Sequence, residues 1–131
     1  MKIREILASI NMPEDVVSFY ESEGRLDEVV NVPNEEVVNK VIKILKCLAN
    51  PVRLKMLALL RKPHCVCLLS CVLGLDLTLV SHHLAKLRRK GLVDMKPIAR
   101  ARIYERKNET IKLAIKELLD LLGISPYELV Q

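Results

Sequence analysis

Three of the four cysteines lie within a seven-residue segment, and thiolates are the ligands that soft metal ions prefer. Cys67 and Cys71 are four residues apart, so a helix separates their directions by only about 40° and their sulfur atoms can converge. Cys65 can join them only if it lies in an irregular turn after Pro63. Three convergent thiolates suit As(III) or Sb(III), and soft ligation also admits Zn(II), Cd(II) or Cu(I). The spacing therefore predicts a site for a thiophilic metal or metalloid at Cys65, Cys67 and Cys71.

Two other interpretations of these cysteines stay open. A neighbouring pair of thiols can form a disulfide under an oxidant or respond to a persulfide. A free cysteine is also among the most buried residue types, so Cys67 or Cys71 could be a small core residue. Cys47 falls on an apolar flank of its predicted helix and is expected to pack. His64 could add a nitrogen ligand beside Cys65.

A second group of residues has the pattern of a helix that reads DNA. In the predicted helix 77–90, an apolar stripe faces the core, and it consists of Val80, Leu84 and Leu87. The opposite face is small, polar and basic, which suits a helix that enters a major groove and reaches base edges. The outer residues are Thr78, His82, Ala85 and Arg89, flanked by Ser81 and Lys86. His83 lies at the boundary and is expected to be half-buried.

Positive charge continues beyond this helix. Residues 86–107 contain nine basic side chains and only two acidic ones. Phosphates would flank a helix docked in a groove, and Arg100 and Arg102 are expected to contact them. Double-stranded DNA is the predicted partner. The alternatives are an acidic protein, an anionic membrane surface or a merely solvated lysine-rich surface.

The elements that carry these residues form a mainly α fold with a small β-hairpin. Gly74 separates a short apolar helix, 65–72, from helix 77–90, and this is the sequence form of a helix-turn-helix. Two short strands, 92–95 and 101–104, follow as a wing around a turn at 96–100. Asn108 is the expected cap of a long last helix, 109–122. The expected packing residues are Leu54, Leu57, Ala58 and Leu60 before the helix-turn-helix and Val72 against Val80 within it.

Charge divides the chain into parts. Residues 1–36 carry three basic and nine acidic side chains and form a predicted acidic helical arm. Residues 37–107 are the predicted winged helix-turn-helix core, and residues 108–131 are predicted dimerisation helices. The arm offers apolar residues at helical spacing, and the last helix has a broad apolar stripe, so a dimer is expected. The arm residues are Ile3, Ile6, Leu7 and Ile10, and the stripe residues are Ile111, Ile115, Leu118 and Leu122.

Other classes of protein find little support in the sequence. There is no glycine-rich phosphate loop, and no Ser or Cys nucleophile has His and acidic partners at a motif spacing, so an enzyme is not expected. No apolar run approaches the roughly 20 residues of a membrane span, and residues 1–10 lack the apolar stretch of a signal peptide. The chain is therefore expected to be cytoplasmic, with its cysteines as thiols.

Four motifs, in order along the chain, resemble those of ArsR/SmtB repressors. Residues 45–54, LKCLANPVRL, are similar to the family's LKALADPTRL opening, with Asn50 in place of Asp. Residues 65–67 resemble its Cys-Val-Cys element, although family arsenic sensors of one branch place the third cysteine one residue closer than Cys71. Residues 79–84, LVSHHL, and 91–93, GLV, resemble its recognition helix and the entry into its wing.

The resemblance implies a winged-helix repressor that is a homodimer built from its N- and C-terminal helices. It implies release of a palindromic operator when a metal, metalloid or oxidant is sensed, with no cofactor needed for DNA binding itself. The family's second metal site, made of His and carboxylates on the C-terminal helix, is not expected because helix 109–122 has no His. The usual Gly-Arg wing tip is absent, and the sequence has Pro97-Ile98-Ala99-Arg100 there instead.

Overall fold

The computed structural model describes residues 1–130, which divide into two compact units, Met1–Asn34 and the residues from Glu35 onward. The first unit contains α1 (Ile3–Ser9) and α2 (Glu14–Ser22). The second contains α3 (Glu35–Leu48), α4 (Pro51–Leu59), β1 (His64–Cys65), α5 (Val66–Leu73), α6 (Leu77–Arg89), β2 (Val93–Ile98), β3 (Ala101–Arg106), α7 (Asn108–Leu122) and a final 3₁₀ turn, Pro126–Val130.

The first unit has its own backbone network. The N–H of Ile3 donates to the carbonyl of Glu28 at 3.0 Å, and the N–H of Arg4 donates to the carbonyl of Leu26 at 2.9 Å. These bonds satisfy N–H groups at the start of α1, which have no partner within the helix. Ile3 and Leu7 are buried. The acidic arm is therefore a folded unit of two helices and a returning segment.

A helix-turn-helix is formed by α5 and α6, between which the chain direction turns by 116°. Gly74 ends α5 in the left-handed region at φ 65°, which glycine adopts without a Cβ penalty. The carboxylate of Asp76 then caps α6 by accepting the N–H of Thr78 at 3.0 Å. Within residues 1–130 no single helix is long and apolar enough to span a membrane, and α5 and α6 meet those criteria only as this bent pair.

The wing is longer than the sequence predicts and has a third strand. Antiparallel strands β2 and β3 pair as far as Ile98 and Ala101, so the turn contains only Ala99 and Arg100 rather than residues 96–100. Pro97 lies inside β2, which is an edge strand, and sheets accept proline in edge strands because part of their N–H groups face away from the neighbouring strand. On the other side of β3, β1 pairs His64 with Tyr104. The segment before α5 is therefore part of the wing's sheet.

The core lies between the helix-turn-helix, α4 and the start of the wing. Three predicted packing residues are wrong, because Leu54 is 55% exposed, Val72 is 60% exposed and Ala58 is also exposed. On α4 the buried face is rotated toward Met56, which the prediction missed. On α5, Leu69 takes the place assigned to Val72. The fully buried large side chains are Val41, Met56, Leu60, Leu69, Val80, Leu84, Leu87, Leu92 and Val93.

Arg53 joins three helices through its guanidinium group. Its Nε donates to the carbonyl of Cys47 at 2.7 Å, at the C-terminal end of α3 where carbonyls lack helical partners. Its Nη1 lies 3.4 Å from Nδ1 of His83 on α6, and this contact requires the His83 proton to be on Nε2. Burial, together with the charges of Arg53, Lys86 and His82, lowers the pKa of His83 below its ordinary value of 6.5. His83 is partly buried, as its boundary position predicts.

A second arginine links the wing to the rest of the unit. Nη1 of Arg106 donates to the carbonyl of Leu57 at 2.9 Å, and its Nε donates to Oδ1 of Asn108 at 2.7 Å. The predicted cap of the last helix is therefore wrong by one residue. Asn108 is the first residue of α7, and Lys107 is its N-cap. The side chain of Asn108 is engaged by Arg106 and makes no cap hydrogen bond.

Truncating Leu69 and Val72 tests which residue of α5 packs on the core. We expect Leu69→Ala to lower the free energy of unfolding by about 2–5 kcal/mol, because it removes a fully buried side chain and leaves a cavity. Val72→Ala is the control and should cost less than about 0.5 kcal/mol, as an exposed substitution. Urea unfolding followed by circular dichroism gives both values. Equal losses for the two variants would contradict the observed packing.

His83 predicts a specific dependence of stability on pH. Because its pKa is lower in the folded chain than in the unfolded chain, the unfolded chain takes up the proton first as the pH falls. The free energy of unfolding should therefore decrease as the pH falls below about 6.5. His83→Gln should lose less stability between pH 7.5 and 5.5 than the wild type, measured by urea unfolding. His82→Gln removes only the smallest of the causes that lower the pKa of His83, so it should change the profile less than His83→Gln does, and identical profiles for the wild type and His83→Gln would refute the assignment.

Candidate nucleic-acid interface

The outer face of α6 is exposed because its inner face is completely buried. Val80, Leu84 and Leu87 each have 0% exposure, so the helix has one fixed rotation about its axis. Thr78, His82, Ala85 and Arg89 are exposed on the other side, as predicted, and the flanking Ser81 and Lys86 are partly buried. The face offers hydroxyl, imidazole and cationic donors, which are the groups that read base edges and phosphates.

A groove separates α6 from the wing. It is lined by Ser81, Ala85, Arg88 and Arg89 of α6 and by Arg102 and Tyr104 of β3. Tyr104 is 5% exposed, so its ring is part of the core while the arginines remain accessible. The structure thus brings together three of the predicted residues, Ser81, Arg89 and Arg102. The sequence prediction missed Arg88, although the basic run that contains it was the available signal.

Lys86 lies on the opposite flank of α6. With Arg89 and Lys90 it lines a cleft whose other wall comes from α3 and α4. Thr78 and His82 line neither the groove nor the cleft and are exposed on the helix surface. Arg100 is exposed in the two-residue turn at the wing tip. The predicted residues therefore occupy one helix face, the groove and the cleft on its two flanks, and the wing tip.

Most of the basic side chains from residue 86 to residue 107 are uncompensated. Among residues 1–130, seven of these nine take part in neither an ion pair nor a side-chain hydrogen bond, and they are Lys86, Arg88, Arg89, Lys90, Lys96, Arg100 and Arg102. Arg106 is engaged with the carbonyl of Leu57, and Lys107 pairs with Asp94 at 3.8 Å. Arg106 is thus a structural residue rather than a phosphate contact. Free cations on a helix and an adjacent wing can neutralise an ordered polyanion.

The cysteines fall into different environments. Cys67 and Cys71 are exposed, one turn apart on α5. Cys65 is partly buried and lies just before the helix, in the short strand β1 and not in the irregular turn after Pro63 that the predicted site requires. Cys47 is a free thiol with 6% exposure, in agreement with a packing role. In the part of the chain that the structure describes, no group of three or more His, Cys, Asp or Glu side chains is close enough to hold a metal ion.

The three cysteines therefore do not form a preformed metal site in this conformation. Cys67 and Cys71 share an accessible helix face, but Cys65 is held in a strand paired with Ile103 of the wing. A three-thiolate site would require this segment to move. His64, the suggested nitrogen ligand, is partly buried in the same strand.

Comparison with known proteins identifies the same region. A model of bacterial regulatory proteins of the arsR family matches residues 50–95, from the start of α4 to the start of the wing. A search of curated proteins found no significant match.

Solved structures match a larger part of the chain. HlyU from Vibrio cholerae N16961 is 36% identical with a TM-score of 0.57, and the alignment covers 67% of this chain and 97% of that one. NolR from Sinorhizobium fredii is 26% identical with a TM-score of 0.56, covering 75% of this chain and 99% of that one. The homodimeric winged helix-turn-helix DNA-binding domain Mb0332 from Mycobacterium bovis shares the fold, with 23% identity, a TM-score of 0.55 and coverages of 72% and 90%.

Proposed function

The chain belongs to the ArsR family of winged helix-turn-helix transcriptional regulators, and we propose that it represses transcription by binding a palindromic operator through α6 and the wing. One observation carries the proposal. The exposed polar face of α6 adjoins, across one groove, the unpaired Arg102 of the wing. Side chains on the helix would read base edges, and the wing arginines would hold the phosphates that border the groove.

A basic module that docks an acidic protein is the rival from another class. Such a module needs positive charge but not a small polar helix face between two basic flanks. The two functions also differ in their response to salt and sequence. Binding to DNA predicts a steep dependence on salt and a preference for one duplex sequence, whereas an acidic peptide gives neither duplex specificity nor a phosphate-derived slope.

A homodimer would explain the apolar surface of α7. Ile115 is 49% exposed and Leu122 is 62% exposed, although both lie on an apolar stripe with Ile111 and Leu118. Exposed stripes of this kind mark interaction surfaces, and a two-fold contact through α7 would present two copies of α6 to successive major grooves. The Mycobacterium bovis domain with the same fold is described as homodimeric. This supports the same assembly here.

The predicted role of the arm in the dimer stays a prediction, and the proposed interface does not include it. Ile3 and Leu7 are already buried in the single chain, at 5% and 8% exposure, and so are unavailable to a partner in this conformation. Only Ile10 of the predicted set is substantially exposed, at 53%. The proposed interface therefore rests on α7 and not on α1.

Thiol chemistry at α5 is the proposed switch, with As(III), Sb(III) or another thiophilic ion as effector. Soft ions bind thiolates, and Cys67 and Cys71 are accessible to them. The start of α5 is connected to both DNA-contacting elements, because α5 packs on α6 and Cys65 pairs with Ile103 of the wing. A rearrangement that brings Cys65 toward the other two thiols would disturb both. Allosteric coupling of this kind usually changes the affinity for the second ligand, here DNA, 5- to 150-fold.

A thiol-redox or persulfide-responsive repressor of the same fold is the alternative. Cys67 and Cys71 could be oxidised to a disulfide by hydrogen peroxide, with loss of two protons and two electrons from the thiols and formation of two molecules of water from the peroxide. Both alternatives use the exposed face of α5. They differ in whether DNA is released by a metal ion under reducing conditions or by an oxidant without metal.

The proposed DNA contacts predict two kinds of variant. Arg89→Ala and His82→Ala should weaken binding to a selected operator by about 1–3 kcal/mol each, because each loses contacts to base edges. Arg100→Ala and Arg102→Ala should weaken binding to all duplexes alike and flatten the salt dependence. Fluorescence anisotropy at several salt concentrations, with selected and random duplexes, measures both effects. Wild-type binding by all four variants would rule out this docking.

The dimer predicts a defined mass in solution. Sedimentation equilibrium at micromolar concentration should give about twice the 14.9 kDa of the chain. Leu122→Glu, which places a charge in the apolar stripe, should shift the equilibrium toward monomer. Lys112→Glu, at an exposed polar position of the same helix, is the control and should leave a dimer. A monomeric wild type at this concentration would overturn the proposed assembly.

The switch predicts a separation of sensing from DNA binding. Cys67→Ser should keep operator affinity and lose release by As(III), because an alcohol does not replace the thiolate as a soft ligand. Cys47→Ser is the control and should still respond, with some loss of stability. Operator anisotropy during titration with As(III), Zn(II) or peroxide separates the metal response from the redox response. The thiolate proposal is wrong if As(III) releases the Cys67→Ser variant from the operator at the same concentrations as it releases the wild type.

A further inference from the structure

A cleft on the side of α6 away from the wing is lined almost entirely by cations. It measures about 500 Å³ and lies between α3, α4 and the C-terminal half of α6. Six of its seven lining residues are basic, and none is acidic. The basic residues are Lys43 and Lys46 of α3, Arg53 of α4, and Lys86, Arg89 and Lys90 at the end of α6. We call this set the basic cleft.

Local spacing explains how the charges converge. Lys43 and Lys46 are three residues apart on α3, and Lys86 and Lys90 are four apart, so each pair lies on one helix face. Arg53 holds the two helices in this arrangement through Cys47 and His83. The convergence is therefore a product of the packed core and not of loose side chains.

The charges of the basic cleft have no acidic partner among the residues that the structure describes. Within residues 1–130, neither the two lysines of α3 nor the three basic residues of α6 take part in an ion pair. Lys40, one turn earlier on α3, shows the contrast because it pairs with Glu117 at 3.4 Å. Five unpaired cations around one concave surface repel one another, and a bound anion removes that repulsion. The lowered pKa of His83, to which Arg53 and Lys86 contribute, agrees with a positive field at this place.

We propose that the basic cleft binds phosphate groups. Phosphate carries the charge and the several acceptor oxygens that lysines and an arginine fork can satisfy together. The cleft adjoins the reading face, with which it shares Arg89 and the flanking Lys86, and it shares only Arg89 with the wing groove.

Two sources could supply the phosphate. DNA bound in the proposed manner has phosphates on both sides of α6. The wing groove lies on only one of these two sides. The basic cleft would then hold the DNA strand on the other side of α6. This source of phosphate rests on the proposed function. A free phosphorylated small molecule is the second source. It would act beside the DNA-reading helix without being part of the duplex.

One pair of variants tests the DNA source. Lys43→Gln with Lys46→Gln removes two exposed charges of the basic cleft, and Lys55→Gln with Lys62→Gln removes two exposed charges outside it. A random-sequence duplex is titrated at several salt concentrations. If the cleft holds DNA, the cleft variant should have a log–log salt slope shallower by about 1.8 per bound protomer, at roughly 0.9 per lost phosphate contact. The control variant should keep the wild-type slope.

Pyrophosphate tests the free source at constant ionic strength. Calorimetry measures its binding to the DNA-free wild type and both double variants, and NMR follows the ring resonances of His83. The proposal with a free phosphate is supported if the wild type and the control variant bind pyrophosphate with similar affinity and the cleft variant binds it at least tenfold more weakly. The ring resonances of His83 in the wild type should then shift on binding. The proposal is overturned if the salt slopes of the two double variants agree and pyrophosphate binding does not distinguish them. If the wild type binds no duplex at all, the proposed function is refuted. The pyrophosphate measurement would still decide whether the basic cleft binds phosphate.

Discussion

The rotation of α6 about its own axis is the constraint on which the rest of this structure depends. Val80, Leu84 and Leu87 are completely buried, and each such side chain contributes about 1.5–3 kcal/mol by leaving water. A turn of the helix by one residue would expose these groups and bring the polar face toward the core. The direction of His82 and Arg89 is therefore set by apolar packing that never touches a ligand. The wing groove and the basic cleft are the two flanks of the same fixed helix.

Arginines in this chain perform two different tasks. Arg53 and Arg106 donate to backbone carbonyls at the end of α3 and in α4, where their several N–H groups serve more than one acceptor each. They connect α3, α4, α6 and the wing into one unit. The other two arginines of the wing, Arg100 and Arg102, and the arginines of α6 have no partner of this kind in residues 1–130 and keep their charge available. The same residue type thus builds the framework and supplies the surface charge.

The position of the thiols explains why their chemistry could reach DNA. Cys65 belongs to β1, which pairs with β3 of the wing, while Cys67 and Cys71 lie on the helix that packs against α6. The segment made of β1 and α5 contacts both α6 and the wing, which are the two elements proposed to contact DNA. A change at the thiols therefore does not have to pass through other parts of the fold. Accessibility and coupling also come from different faces of α5. Its exposed face carries the thiols, and its buried face, through Leu69, supports the core.

The sequence alone determined the helix-turn-helix, the two strands of the hairpin, the last helix, their order and the family. Glycine and proline positions, helical periodicity and the 79–84 motif were enough to predict the helix-turn-helix, the wing and the exposed face of α6, because these depend on local backbone preferences and on one helix at a time. Tertiary structure decided the packing of Met56 and Leu69 in place of Ala58 and Val72. It also decided the pairing of β1 with β3, the structural role of Arg106 and the convergence of Lys43 and Lys46 with α6. Each of these joins residues distant in the chain, and a pattern of apolar spacing cannot tell which of several adjacent apolar residues a neighbouring element will cover, or which charges will meet.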